Sequence, residues 1–410
     1  MISLKVSENK LYSLVFFGYL VLLGTTLKVT FNLESISTIL TGILITLPFI
    51  LLIYRSPRVA LNSQDLFVSY LGCALILPCF INLSIHGISY IGIVQTLAFI
   101  FPWMVLLCVV FSKEYISRNQ SKFWRWFNSF LVILVSLGLL EYFACFYFGL
   151  VPSYKETPNG SFFVGYTTVF HALESGLPHF RFYGPFGEPG DFAIWGSVLI
   201  VYNLFRRNYL SVGIFSLAIF LSASPSVVIS LLVAFGFYLY KSRSFIPYTT
   251  LFFIVLALWY FYIEINDFIN DILIVKQGSL EDRADSFFGF FGKFSFLVWN
   301  HPFGIPFFAT SSEATASEVW FSGNFTPILA FERGGIIAFI VYILFLIFGS
   351  VVSFMRIIMS RDSLFSSEIY LYFFMILPFI VQRHALFEFG LFPLLFSAIF
   401  LRRSRDHKTR

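Results

Sequence analysis

Stretches of about 20 apolar residues, the length a helix needs to cross a bilayer core, recur along the whole of this chain. A water-soluble fold cannot hide so many of them. They are read at residues 11–27, 36–54, 66–85, 89–111, 128–150, 192–205, 209–222, 225–240, 245–263, 328–354, 368–382 and 385–401. Three of these runs, 192–205, 209–222 and 225–240, are short. Tilted helices or one re-entrant hairpin fit them equally, so the expectation of about 12 spans holds to within one or two. The fold class expected is an all-α polytopic membrane protein, with residues 1–410 forming a single transmembrane helical bundle. Charged residues make up 12% of the chain, against about 25% in soluble domains. That leaves too little polar surface to enclose a core of this size in water.

Orientation follows from lysine and arginine in the loops. With alternating spans, 19 of the 27 fall on one side, including Lys5, Lys10, Arg55, Arg58, Arg206, Arg207 and the tail Arg402–Arg410. The other side holds eight: Lys28, Lys155, Arg181, Lys276, Arg283, Lys293, Arg333 and Arg383. Both termini are therefore expected in the cytoplasm. The first run ends at Lys28-Val29-Thr30-Phe31 with no small-residue cleavage site, and is read as a retained span. The basic tail suits anionic lipid, so the net charge of +5 is not read as a nucleic-acid footprint. Cys73, Cys79, Cys108 and Cys145 all stand in apolar runs without metal-ligand spacing, and are read as buried small hydrophobes. Neither a metal nor a cofactor is expected.

Two long loops, 151–191 and 264–327, fall on the outer side and hold most of the chemistry. The first ends in Arg181-Phe-Tyr-Gly-Pro-Phe-Gly-Glu-Pro-Gly-Asp191. Glycine and proline at this density set turns, so Arg181, Glu188 and Asp191 stand on a bent backbone at the rim of an apolar run. A simple re-entrant loop has the same composition. The second loop holds the cluster Glu281-Asp-Arg-Ala-Asp285. A phenylalanine-rich stretch then covers 286–300 and is expected to form a helix along the outer interface. The turn-rich strip Asn300-His-Pro-Phe-Gly-Ile-Pro306 follows. Glu332-Arg-Gly-Gly335 then stands near the start of the next span.

Charge at a membrane boundary is costly unless it is wet, paired or acting on a ligand. Arginine binds phosphate bidentately and keeps its charge when buried. Arg181, Arg283, Arg333, Lys293 and Arg383 therefore form a candidate pyrophosphate-binding set, able to stabilise a leaving group. Glu188, Asp191 and Glu332 are candidate bases for a hydroxyl, with Arg181 beside them as a catalytic cation. Local ion pairs at Asp282–Arg283 and Glu332–Arg333 are the structural reading of the same charges. The histidines, among them His86 and His301, follow no catalytic order. Asn159-Gly-Ser161 fits a glycosylation acceptor only formally. The short basic loops on the inner side carry no nucleotide-binding motif.

These residues resemble a known family. Arg181-Phe-Tyr-Gly-Pro-Phe-Gly-Glu-Pro-Gly is similar to the first-loop motif of polysaccharide repeat-unit polymerases. Arg283 followed by Asn300-His-Pro-Phe-Gly-Ile resembles their second-loop pattern, and Asn324 through Glu332-Arg-Gly-Gly335 resembles the approach to their next span. The chain is thus identified as resembling the bacterial O-antigen polymerase and ligase superfamily. The likeness covers roughly its second half; the first 150 residues match only as hydrophobic spans. Ligases of that superfamily usually carry a histidine before the asparagine, where this chain has Gly323, so the polymerase reading is preferred. The resemblance implies a GT-C-like helical architecture in the bacterial inner membrane. It implies transfer of a growing glycan from undecaprenyl pyrophosphate to the next lipid-linked oligosaccharide repeat unit at the periplasmic face. A chain-length regulator is a possible partner within that family, and nucleic acid is not one. The alternatives are an O-antigen ligase and a lipid-linked oligosaccharide flippase or transporter. Against the transporter, the spans hold few charges and the sequence shows no internal repeat.

Overall fold

The computed structural model describes residues 63–111, 113–149, 153–157, 160–164, 169–171, 181–184, 189–222, 224, 226–241, 287–306, 326–359, 368 and 370–377. The runs 11–27, 36–54, 245–263 and 385–401 lie outside the described residues. Within the described residues the chain is mostly helical. The helices are α1 (Ser63–Ile85), α2 (Tyr90–Phe111), α3 (Lys113–Phe148), α4 (Pro189–Phe205), α5 (Tyr209–Ser222), α6 (Ser226–Lys241), α7 (Phe294–Asn300) and α8 (Thr326–Met359). Residues 287–292 and 370–377 are helical as well. Among the described residues three helical stretches are long and apolar enough to cross a membrane: Asp65–Ile85, Phe127–Phe148 and Thr326–Ile358.

Each short run of the sequence has its own helix. Gly196 stands where a Cβ would come 2.8 Å from Ile219 Cδ1, and α4 and α5 pack closely there. The turn between them closes with Arg207 at φ 56° and with the Asn208 amide N–H donating to Asn203 O at 3.0 Å. Asn208 Oδ1 then accepts from the Ser211 amide at 3.5 Å, capping α5 in the usual asparagine manner. The apolar run at 128–150 is only the second half of α3. That helix reaches back to Lys113 because residues 113–126 hold neither glycine nor proline to stop it.

One continuous core joins α1 through α6 with α8 and residues 371–376. It is rich in aromatic side chains: Trp103 stands 5.0 Å from Phe345, and Trp124 packs on Tyr202 and Tyr372 at 5.9 and 5.1 Å. Two buried amides cross it. Asn128 Nδ2 donates to Asn203 Oδ1 at 3.1 Å, and Asn203 Nδ2 returns the bond to Asn128 Oδ1 at 2.6 Å. Each satisfies the other where water is excluded. Cys79 is buried, but Cys73 is exposed on its helix, so burial does not describe all four cysteines.

The first long loop carries a structure its turn residues do not announce. Ser153–Thr157 (β1), Gly160–Val164 (β2), Val169–His171 (β3) and Arg181–Phe182 (β4) form an antiparallel sheet in that order. Thr157 pairs with Gly160 at the end of the β1–β2 ladder. The last pair sets Arg181 opposite His171.

Candidate functional site

Arg181 is built into the fold at the end of the sheet. It is 5% exposed, and its Nε donates to Ser222 O at 3.2 Å. Ser222 is the last residue of α5, where helix carbonyls lack intrahelical partners and the dipole is negative. A guanidinium is well placed there. Gly184, at φ 60°, then turns the chain against Phe192, whose ring would meet a Cβ at 3.0 Å. Pro189 opens α4, the position where a missing N–H is harmless. Asp191 stands in the first turn of α4. Glu188 lies outside the described residues, as do Arg283 and Arg383.

A second cluster forms where α8 breaks. Gly334 and Gly335 leave helical geometry, with φ −145° and +67°. This divides α8 into a short piece ending at Arg333 and a long piece starting at Ile336. In an unbroken helix the Ile336 N–H would close on Glu332 O. Here it donates to Pro302 O at 3.1 Å, while Glu332 O accepts from the Ile305 N–H at 3.0 Å. The strip 302–305 thus replaces the missing helical turn. Asn82, near the end of α1, adds its own amide. Its Nδ2 lies 3.0 Å from both Glu332 O and Arg333 O and 3.4 Å from Ile305 O. His86 Nε2 lies 3.2 Å from Gly304 O, where only the tautomer bearing its proton on Nε2 donates. Irregular backbone inside a membrane protein needs such partners.

A small apolar cluster holds the strip in place. Phe290, Leu297, Ile305, Ile328 and Phe331 are buried together, with Phe294, Val298, Ile336 and Phe339 packed around them. The expected interfacial helix over 286–300 is therefore two pieces, 287–292 and α7, turning at Lys293. One face docks on α8. The other leaves Phe288, Phe296 and Trp299 exposed, and Lys293 is exposed between the two pieces.

Glu332 and Arg333 end the short piece of α8 and are half-buried. Their charges act on each other, and that of Arg333 also reaches Cys79. Arginine at a helix C-terminus is electrostatically favourable, and the long piece offers its positive N-terminus just beyond. His301, in the strip, has its imidazole pKa lowered, first by burial and then by the charge of His86. The arrangement offers a carboxylate, a guanidinium and two imidazoles at a helix break. That is the equipment for binding an anionic group and moving a proton. Among the described residues no three His, Cys, Asp or Glu side chains gather as metal ligands.

The structure thus joins two of the sequence strips, 300–306 and 332–335. Sequence reasoning missed Asn82, and placed His86 only in a short turn. The available signal was a lone amide one turn before the end of an apolar run. No protein-family model matches the chain, and neither a curated protein nor a solved structure matches it significantly.

Proposed function

We propose that this protein is a membrane glycosyltransferase that polymerises lipid-linked oligosaccharide repeat units at the outer face of a bacterial inner membrane. The observation that carries the reading is the seam between the Pro302–Ile305 strip and the broken helix at Gly334–Gly335. It holds Glu332 and Arg333 at the end of the broken helical piece, on which the phenylalanine-rich segment 287–300 packs, and the exposed rings of that segment suit a polyprenyl tail. In the proposed reaction a hydroxyl of the acceptor unit attacks the anomeric carbon of the growing glycan. The bond from that carbon to the pyrophosphate oxygen breaks, and undecaprenyl pyrophosphate leaves. Arg333, with Arg181 and Arg283, balances charge on the leaving group. A carboxylate, Glu188, Asp191 or Glu332, takes the hydroxyl proton. Of the three, Glu332 stands at the seam itself, its backbone carbonyl held by the Ile305 N–H and by Asn82. In this reading about 12 spans with both termini inside bring all these residues to the outer face.

The test is the banding of surface polysaccharide on a gel, with and without the gene. Loss of the ladder down to a single repeat unit on core is the expected result. Loss of all bands beyond core, with lipid-linked polymer accumulating, would make the protein a ligase instead. Single lipid-linked units trapped on the cytoplasmic side would make it a flippase and remove the catalytic roles.

A further inference from the structure

Asn82 is the buried polar group whose surroundings the charges do not explain. It has no exposed surface, and the helix around it is apolar. A buried carboxamide requires partners. Asn82 Nδ2 takes them from backbone carbonyls more than 220 residues away in sequence. Two of the three belong to Glu332 and Arg333, at the end of the broken helical piece. The third belongs to the strip that replaces the missing turn. The fit is close on every side. A Cβ on Gly304 would stand 2.7 Å from Asn82 Nδ2 and 2.7 Å from Glu332 O, and one on Gly334 would stand 3.1 Å from Cys79 Sγ. Glycine at both positions lets α1, α8 and the strip meet at one point, and Asn82 is the side chain at that point.

We infer that Asn82 is the positioning residue of the site, fixing where Glu332 and Arg333 stand relative to the His301–Ile305 strip. It acts through their backbone and does not touch the substrate. The inference rests on the reading of Glu332 and Arg333 as part of the reacting centre. A residue that merely supports folding would lower the amount of inserted protein without changing the turnover of what remains. A positioning residue lowers turnover in protein that is still inserted, because reaction rates fall steeply with sub-ångström misplacement.

Cys79 supplies a reporter that needs no activity, since it is buried against Gly334 three residues before Asn82. The experiment uses the full chain in proteoliposomes, with Cys73, Cys108 and Cys145 changed to Ser so that Cys79 alone reacts. Asn82→Leu keeps the branched four-atom side chain in a somewhat bulkier form and removes the donors; Asn82→Ala removes both branch and donors and serves if the leucine does not insert. The expected result is an order-of-magnitude rise in Cys79 labelling by N-ethylmaleimide, as the seam opens locally. With it, kcat for joining lipid-linked repeat units falls on the order of 10–100-fold at unchanged KM. Protected Cys79 in an inserted variant overturns the inference, and so does unchanged kcat per inserted molecule. Exposed Cys79 in a protein whose parent joins no repeat units upholds the clamp and removes only the polymerase reading.

Discussion

At the scale of single residues, Gly335 shows how much one backbone conformation carries. Its φ of +67° lies in the left-handed region, and a Cβ there would collide with the Pro302 carbonyl. Gly335→Ala is expected to destabilise by about 2 kcal/mol or more, combining about 1–2 kcal/mol of left-handed strain with a displaced hydrogen bond. Gly236→Ala is the contrast. That glycine is inside α6 with open space around its notional Cβ, and alanine should be neutral or stabilise by about 0.5–1 kcal/mol. Thermal unfolding in detergent reads both. Arg181 makes the second residue-scale case. Arg181→Ala is expected to insert but to lose about 1.5–3 kcal/mol, the worth of a hydrogen bond to a charged donor, and to make no polymer. A normal ladder from inserted Arg181→Ala would leave this side chain with its bond to Ser222 and no part in the reaction. The sequence made both residues conspicuous. It did not show their partners, because Pro302 and Ser222 are brought to them by other segments.

Among the elements, the strip 300–306 is where pH should act. Burial and the neighbouring His86 disfavour the His301 imidazolium in the folded state. The unfolded chain then binds a proton more readily, so stability falls as pH falls. Docking of the strip is complete above the ordinary histidine pKa of about 6.5. It weakens as pH drops through that value towards the lowered one. His86→Gln removes the second cause and should move the His301 titration back upward, towards its ordinary value. Histidine NMR across pH 5–8, read beside thermal unfolding, checks this; a His301 titration unmoved by His86→Gln would show that burial alone sets it. The elements themselves were largely legible. Continuous apolar runs gave α1, α2, α4, α5 and α6 nearly to the residue, because helix is how lipid-facing backbone satisfies itself. The breaks were not. Gly334-Gly335 permits a break, but only the docked strip makes one stable. The turn at Lys293 likewise reflects which phenylalanines reach Phe331 and Phe339. The sheet in 151–191 escaped because its strands are short and depend on pairing, which periodicity does not report.

For the molecule as a whole, the expected topology has a direct consequence. Ile88, between α1 and α2, and Trp299, in α7, are both exposed and fall on the same side in the alternating arrangement. Asn208, between α4 and α5, falls on the other. Single cysteines at 88 and 299 should react with a membrane-impermeant maleimide applied to spheroplasts, and a cysteine at 208 only after the membrane is opened. Labelling of 88 and 299 from different sides would reject that arrangement of spans. The sequence by itself determined that much of this chain forms apolar helices, and it set the expectation of short basic loops on one side and long charged loops on the other. Those properties are local, set by hydrophobic length and by the charges flanking each run. Tertiary structure alone decided that Pro302–Ile305 completes the break in α8, that Asn82 from α1 joins both, and that Arg181 caps α5. These contacts bridge segments up to 251 residues apart, and no local pattern specifies which buried donor will meet which orphaned carbonyl.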